Sequence, residues 1–252
     1  MDRSLGVVVP AYEPDVPRLA AYLDALRDRL DPAAVRVELD APDEATLEAV
    51  RALPAAVNAV PYRRGKGAAV TAGFEALETE LLCFLDADGS TPPASAAAVV
   101  DALAEADVAV GSRRHPDARV AGHQTVARRL LGDGFAWVAR RLLDAQLYDY
   151  QCGAKALTAE AWAGVRDHLY EPGFAWDVEF VAVAAALGYR LREVPIEWED
   201  APGSTVDPVR TSLDMGRALF VARHRAKRLQ NSRLHGVLAS EADPVALVDR
   251  GE

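Results

Sequence analysis

The sequence predicts an α/β fold in a single domain, with a mostly parallel sheet flanked by helices. Three observations carry that prediction. Over the first 112 residues, short apolar runs alternate with segments of helical period. One run, Leu81-Leu82-Cys83-Phe84-Leu85, is apolar throughout, as expected of a strand covered on both faces. Polar residues gather directly after these runs, at the strand ends where such sheets bind ligands.

Residues 5–9 form a β-rich run that Pro10 ends. Val16, Leu19, Ala20, Leu23, Leu26 and Leu30 then recur at helical spacing. Strands over 35–39 and 57–60 enclose a helix over 43–53, and 66–77 is helical. The apolar strand 81–85 leads to a helix over 93–104 with proline in its first turn, then to a strand over 108–111. The second half is less regular. It reads as a helix over 124–143, a turn at 151–155, helices near 159–168 and over 177–187, and a strand over 190–196. Pro202-Gly203-Ser204 marks a loop. Neither a repeat nor a linker interrupts the chain, so one domain over 1–233 is expected, with a flexible tail over 234–252.

The 252 residues are half hydrophobic and about a quarter charged, enough apolar material for a core. The net charge of −10 argues against sequence-independent nucleic-acid binding, which needs a basic face. Only three of the 28 cations are lysine (Lys66, Lys155, Lys227), a bias that fits a GC-rich and salt-adapted source. Cys83 and Cys152 make neither a metal-type pair nor a disulfide framework, and the five histidines are scattered. The apolar run at the start breaks at Pro10, too early for a signal peptide. No stretch approaches the ~18 apolar residues of a membrane span. A cytoplasmic protein is expected.

Three local features carry chemistry. Asp86-Ala87-Asp88-Gly89 sets two carboxylates at the end of the apolar strand, a hard-oxygen pair suited to Mg²⁺ or Mn²⁺. Taken alone, it reads equally well as an Asp-Gly turn. Arg64-Gly65-Lys66-Gly67 opens a helix, where backbone N–H groups favour an anion. Taken alone, a Gly-rich turn is the better reading. Gly111-Ser112-Arg113-Arg114 follows a strand and offers guanidinium forks for phosphate; the bland alternative is a surface arginine pair.

The ordered set discriminates. Pro10-Ala11-Tyr12-Glu13, Gly65-Lys66-Gly67, Asp86-Ala87-Asp88-Gly89, Gly111-Ser112-Arg113, Asp149-Tyr150-Gln151-Cys152-Gly153-Ala154-Lys155 and Trp176-Asp177-Val178-Glu179 follow one another at characteristic spacing. With these blocks the sequence resembles the family 2 inverting glycosyltransferases of the GT-A fold. More narrowly it resembles the dolichyl-phosphate glucosyltransferases and their archaeal relatives, from about residue 5 to residue 229.

The resemblance implies a single GT-A domain whose sheet binds a nucleotide. It places Pro10, Tyr12 and Glu13 along the nucleoside pocket, Asp40 on the base or ribose, and Lys66 near the donor pyrophosphate. Asp86 holds the ribose or metal region and Asp88 ligates the metal. Arg113, with Arg128 or Arg129, neutralises donor or acceptor phosphate. Asp149, Gln151 and Lys155 form an acceptor-side motif, Ser204 belongs to the acceptor-phosphate set, and Asp177 and Glu179 line the sugar. Asp88, Arg113, Asp149, Lys155, Asp177 and Glu179 are the catalytic candidates. The chain departs from the pattern in places. The opening is PAYEP rather than PAYNE, Asp40 stands in an altered block, and Ala154 replaces a phenylalanine. Thr205 replaces a lysine, so that phosphate contact is lost or supplied by Arg210.

The implied reaction moves a hexose from a nucleotide sugar, first UDP-glucose, to dolichyl or another polyprenyl phosphate, feeding protein or lipid glycosylation. The alternatives are a family 2 enzyme with a saccharide acceptor and a non-catalytic nucleotide-sugar binder. Residues 209–233 carry seven cations against one acid, net +6, while the remainder carries 21 against 37, net −16. This segment reads as a basic amphipathic helix on the inner membrane face, with Leu219 and Phe220 dipping into the interface. The rival reading is a helix packed on the acidic body.

Overall fold

The computed structural model describes residues 3–121, 126–199, 208–230 and 244–250. Its first half alternates as the hydrophobic pattern predicts: β1 (Leu5–Tyr12), α1 (Val16–Leu30), β2 (Ala34–Asp40), α2 (Glu44–Arg51), β3 (Ala56–Val60), α3 (Lys66–Glu75), β4 (Leu81–Leu85), α4 (Pro93–Asp101) and β5 (Val108–Ser112). The second half adds β6 (Arg119–Ala121), α5 (Val126–Leu142), β7 (Ala154–Thr158), α6 (Ala159–Val165), α7 (Trp176–Ala186), β8 (Leu191–Pro195), β9 (Glu197–Glu199) and α8 (Pro208–Leu229). The main sheet has strand order β3-β2-β1-β4-β7-β5-β8, and β6 pairs with β9 in a short ribbon. All pairings in the main sheet are parallel except those of β7, which runs antiparallel to both β4 and β5.

The period of two along each strand sorts side chains to the two faces. Val7, Val9, Leu81, Cys83 and Leu85 pack against α1, α2 and α4. Val8, Leu82 and Phe84 pack against α3, α6 and α7. Both faces are therefore dry, which explains the unbroken apolar run of β4. Side-chain caps set several helix starts: Asp15 accepts from Arg18 N, Asp43 from Thr46 N and Thr158 from Ala161 N.

Three expectations are corrected. Pro10 does not end β1. Pairing with β4 stops at Val8, so Pro10 stands where the strand has one neighbour left and proline is tolerated. The expected turn at 151–155 gives way, from Ala154, to β7 in the middle of the sheet. Alanines facing one side and a buried lysine facing the other hide a strand that local pattern does not betray. The tail is not wholly loose: residues 244–250 lie against the body, with Ala246 and Leu247 buried and Leu247 N donating to Leu169 O.

Helix α8 also differs from expectation. Leu219 is 1% exposed and packs inward with Met215, Ala222 and Ala226, so it is not a membrane contact. Phe220 stands out at 61% exposure. Arg223 donates to Leu142 O, and Lys227 pairs with Asp144 at 2.9 Å. These contacts agree with packing on the acidic body.

Cys83 and Cys152 are fully buried, and burial pushes both thiols up to about 12. Neither should react with a thiol-specific disulfide reagent at pH 8 until denaturant opens the core. Two equivalents released by the native protein at the free-thiol rate would contradict this packing.

Candidate active site

The site forms at the carboxyl edge of the sheet, around a chain of alternating charges. Asp86 follows β4, and its N–H donates to Gly153 O at 3.0 Å. A Cβ on Gly153 would lie 1.7 Å from Asp86 Oδ2, which explains the glycine before β7. Lys66 opens α3. Its Nζ lies 2.9 Å from Asp86 Oδ1 and 3.0 Å from Asp177 Oδ2. Asp177, in the first turn of α7, also takes the Lys155 ammonium, which donates to Cys152 O at 2.8 Å. Lys155 and Asp177 are buried and Lys66 nearly so. Each charge in such a chain needs its neighbours, because an uncompensated buried ion costs several kcal/mol.

Burial alone would drive Lys66 toward its neutral form, but Asp177 and Asp86 outweigh it and its pKa is raised. Burial would likewise raise Asp177, but Lys155 and Lys66 hold it below the ordinary carboxylate value. Asp86 is raised, by desolvation first and then by Asp177 and Asp88, with Lys66 opposing. Asp88 is exposed at the rim and accepts from Ser90 N at 2.9 Å.

Beside this chain, Arg113 grips Asp149 with two side-chain bonds, Nε to Oδ2 at 2.7 Å and Nη2 to Oδ1 at 3.1 Å. The Arg113 and Gln151 N–H groups donate to the same carboxylate. Burial would raise Asp149, but Arg113 overrides it and brings its pKa down to about 2. Glu193 of β8, which the sequence did not flag, accepts from Tyr148 N and Asp149 N and fixes that turn.

At the other end, β1 and β2 finish in strained backbone. Glu13 (φ 47) and Ala41 (φ 47) lie in the left-handed region, a cost of about 1 kcal/mol or more each. Tyr12 is partly exposed, with the Arg63 guanidinium 4.1 Å from its ring centre. Asp40 is buried, and both of its oxygens are taken, by Arg64 Nε at 2.8 Å and Gly65 N at 2.9 Å. Arg64 also binds the fully buried Glu38 at 3.0 Å, while its Nη2 is buried without a hydrogen-bond partner. Glu38 is not marked by the sequence pattern, and Arg64 is marked only as part of the Gly-rich turn that opens α3. The legible signal is that β2 places Arg36, Glu38 and Asp40 at alternate positions, so the three charges share one face of the strand.

Several of the expected site residues are engaged with partners within the protein. Lys155 is 0% exposed and spends its donors on Asp177 and Cys152, so it is a support for Asp177 rather than an acceptor-phosphate contact. Asp40 holds the 64–65 segment instead of presenting a free carboxylate. Glu179 turns away from Asp177 and pairs with Arg225 of α8, so it does not line the same cavity. Pro10 lies within β1. The side chains of Arg128, Arg129 and Arg210, and all of Ser204 and Thr205, lie outside the described residues.

The Arg113–Asp149 pair has a pH signature. Asp149 has a lowered pKa in the fold, so its contribution is present above the unfolded value of about 3.9. It is lost as pH falls toward about 2. Urea unfolding of Asp149→Asn should show a loss of about 3 kcal/mol at pH 7 and a flatter acid limb between about pH 5 and 2. An acid limb identical to wild type would refute the pairing.

The glycosyl transferase family 2 model matches residues 6–145. Glycosyltransferase AglD of Haloferax volcanii is 31% identical over 233 residues, covering 86% of this chain and 36% of its own length. A dolichyl-phosphate β-glucosyltransferase of Mus musculus is 32% identical, covering 68% of this chain and 56% of that protein. The Homo sapiens protein of the same name is 27% identical, covering 92% and 79%. The chain thus spans little more than half, or less, of the first two relatives. Among solved structures, glucosyl-3-phosphoglycerate synthase of Mycobacterium tuberculosis superposes with a TM-score of 0.70 at 16% identity, covering 88% of this chain and 80% of that one. That likeness establishes the GT-A fold. The family match takes in more than half of the residues, and the chain belongs to glycosyl transferase family 2.

Proposed function

We propose that this glycosyltransferase moves a hexose, first glucose from UDP-glucose, onto dolichyl or another polyprenyl phosphate with inversion. The relatives named for dolichyl-phosphate glucosyl transfer support the acceptor class. An undecaprenyl-phosphate mannosyltransferase of Micrococcus luteus, 29% identical, supports the polyprenyl phosphate and leaves the sugar open.

One observation supports the acceptor assignment: of the carboxylates among the catalytic candidates, Asp149, Asp177 and Glu179 are each committed to a cation. Asp149 is clamped by Arg113 with a pKa near 2, Asp177 is held ionised between two lysines, and Glu179 pairs with Arg225. A sugar hydroxyl needs a base to attack. A phosphomonoester does not, since its second pKa is about 6 and it is already an anion at neutral pH. It needs cations that hold it without quenching it. Arg113, kept rigid by Asp149, is proposed for that role together with Arg128 or Arg129.

Asp86 and Asp88 are proposed to hold Mg²⁺ or Mn²⁺. The fit is chemical: both are hard oxygen donors, and Asp86 already binds a cation, the Lys66 ammonium. No group of three or more His, Cys, Asp or Glu side chains suited to a metal occurs among the described residues. A donor diphosphate would complete the set, as is usual for Mg²⁺. The metal supplies stabilisation of the negative charge on the departing diphosphate. The M. tuberculosis structure contains Mn²⁺ with UDP-glucose, which supports this reading. Lys66 would turn part of its charge to the same diphosphate.

No helix among the described residues is long and apolar enough to cross a membrane. Peripheral attachment to the cytoplasmic face is proposed through α8 and the adjoining α5, which expose Phe220, Val221 and Trp137.

Asp88→Asn should lower turnover about 100-fold or more with an unchanged unfolding midpoint, and EDTA should stop the wild type until Mg²⁺ or Mn²⁺ is restored. Near-normal turnover of the variant would remove Asp88 from the metal site. A short polyprenyl phosphate in detergent should accept sugar, and the matching alcohol should not. Phe220→Asp should cut transfer to vesicle-embedded acceptor while sparing the detergent assay. Preference for the alcohol or a free saccharide would replace this reading with the saccharide-acceptor one.

A further inference from the structure

We infer that Glu179 and Arg225 form a positioning pair that ties helix α8 to the loop 170–173, and through it holds the Lys66 segment in register. The inference rests on the proposed donor role of Lys66.

The helix itself rules out a shared role for Asp177 and Glu179. At about 100° per residue, positions two apart project roughly 200° apart around α7. Asp177 faces the two lysines, so Glu179 faces away from them. It is 2% exposed, and a carboxylate that deep requires compensation. Its Oε2 accepts from Tyr170 N and Glu171 N, both at 2.8 Å, and its Oε1 pairs with Arg225. The Arg225 guanidinium also lies 4.6 Å from the Tyr170 ring centre. From the C-terminal segment, Arg250 donates to Tyr170 O at 2.8 Å. Residues 169–171 are therefore gripped by α7, by α8 and by the segment 244–250.

The far side of that loop is the wall behind Lys66. Pro172 O accepts from Ala68 N at 3.1 Å, satisfying one of the N–H groups that a helix start leaves open. Gly65 sits at φ +97, and a Cβ there would lie 2.5 Å from Pro172 O. A Cβ on Gly67 would lie 2.5 Å from Glu171 O and from Trp176 Cβ. Backbone presses on backbone, so a shift of the loop moves the first turn of α3. Lys66 stands in that turn with Asp86 and Asp177 both at hydrogen-bond distance. No side chain of the pair contacts this ion cluster, so its effect is exerted through position.

The test compares Arg225→Met and Glu179→Gln with Arg225→Lys as the conservative variant. Calorimetry measures UDP affinity with Mn²⁺ present, the detergent assay gives kcat and both KM values, and melting gives the unfolding midpoint. Arg225→Met and Glu179→Gln should each weaken UDP binding and raise donor KM by about tenfold, below the roughly hundredfold cost of a 1 Å misplacement at a reacting centre. Acceptor KM should stay within about twofold, Arg225→Lys should recover most of the loss, and the double variant should be no worse than the singles. A lower kcat in Glu179→Gln with a normal Arg225→Met would make Glu179 a direct substrate contact and overturn the pair. A lower midpoint with unchanged donor KM would reduce the pair to fold support and overturn it equally. If Glu179→Gln does not fold, Arg225→Met carries the test, because Arg225 is only partly buried. A wild type that binds no UDP overturns the donor reading itself, which is a different result from an unaffected variant.

Discussion

Lys66 stands between Asp86 and Asp177, and the site is assembled around that placement. Its two partners come from different elements, the end of β4 and the start of α7, and Lys155 reaches Asp177 from β7. Four elements are thus pinned by ions, of which Lys66, Lys155 and Asp177 have little water to fall back on. Coulombic attraction at about 3 Å is strong where water is scarce, and desolvation is correspondingly costly, so such a chain persists only when its members balance. Glycine at 65, 67 and 153 follows from the close approaches the chain demands.

The same balance shapes the chemistry. Carboxylates held ionised by neighbouring cations are weak bases, and Asp149 and Asp177 are both in that state. A site whose anions are committed to lysine and arginine is better suited to receiving phosphate than to deprotonating a hydroxyl. Asp86 and Asp88 differ, since Asp86 is raised by its surroundings and Asp88 stands at the rim. Carboxylates that are close to one another and less fully neutralised have the electrostatic character that attracts a divalent cation.

Helix α8 connects this interior to the surface. One side buries Met215, Leu219, Ala222 and Ala226, and another exposes Phe220 and Val221. Its cations are divided in the same way. Arg223, Arg225 and Lys227 point to a carbonyl or a carboxylate of the body, which removes much of the positive charge from any outward patch. Apolar contact therefore has more weight in the proposed membrane attachment than net charge suggests, as a salt-rich medium would also require.

The sequence by itself determined the alternation of strands and helices as far as β5, the two-faced burial of β4, and the location of the Asp86–Asp88 pair at a strand end. Those features follow from local periodicity and from the rule that parallel sheets bind at their carboxyl edge. It also contained the ordered motifs from which the family was legible. Tertiary structure alone decided which charges meet. Lys155 reads as a phosphate contact until β7 is seen in the centre of the sheet, where its ammonium meets a carboxylate 22 residues away. Glu179 reads as a partner of Asp177 until α7 turns the two to opposite sides, and Arg225 joins it from 46 residues away. A residue's type reports what it can bind, but an ion pair forms with whatever the fold brings within about 3 Å, and that distance is set by elements far apart in the chain.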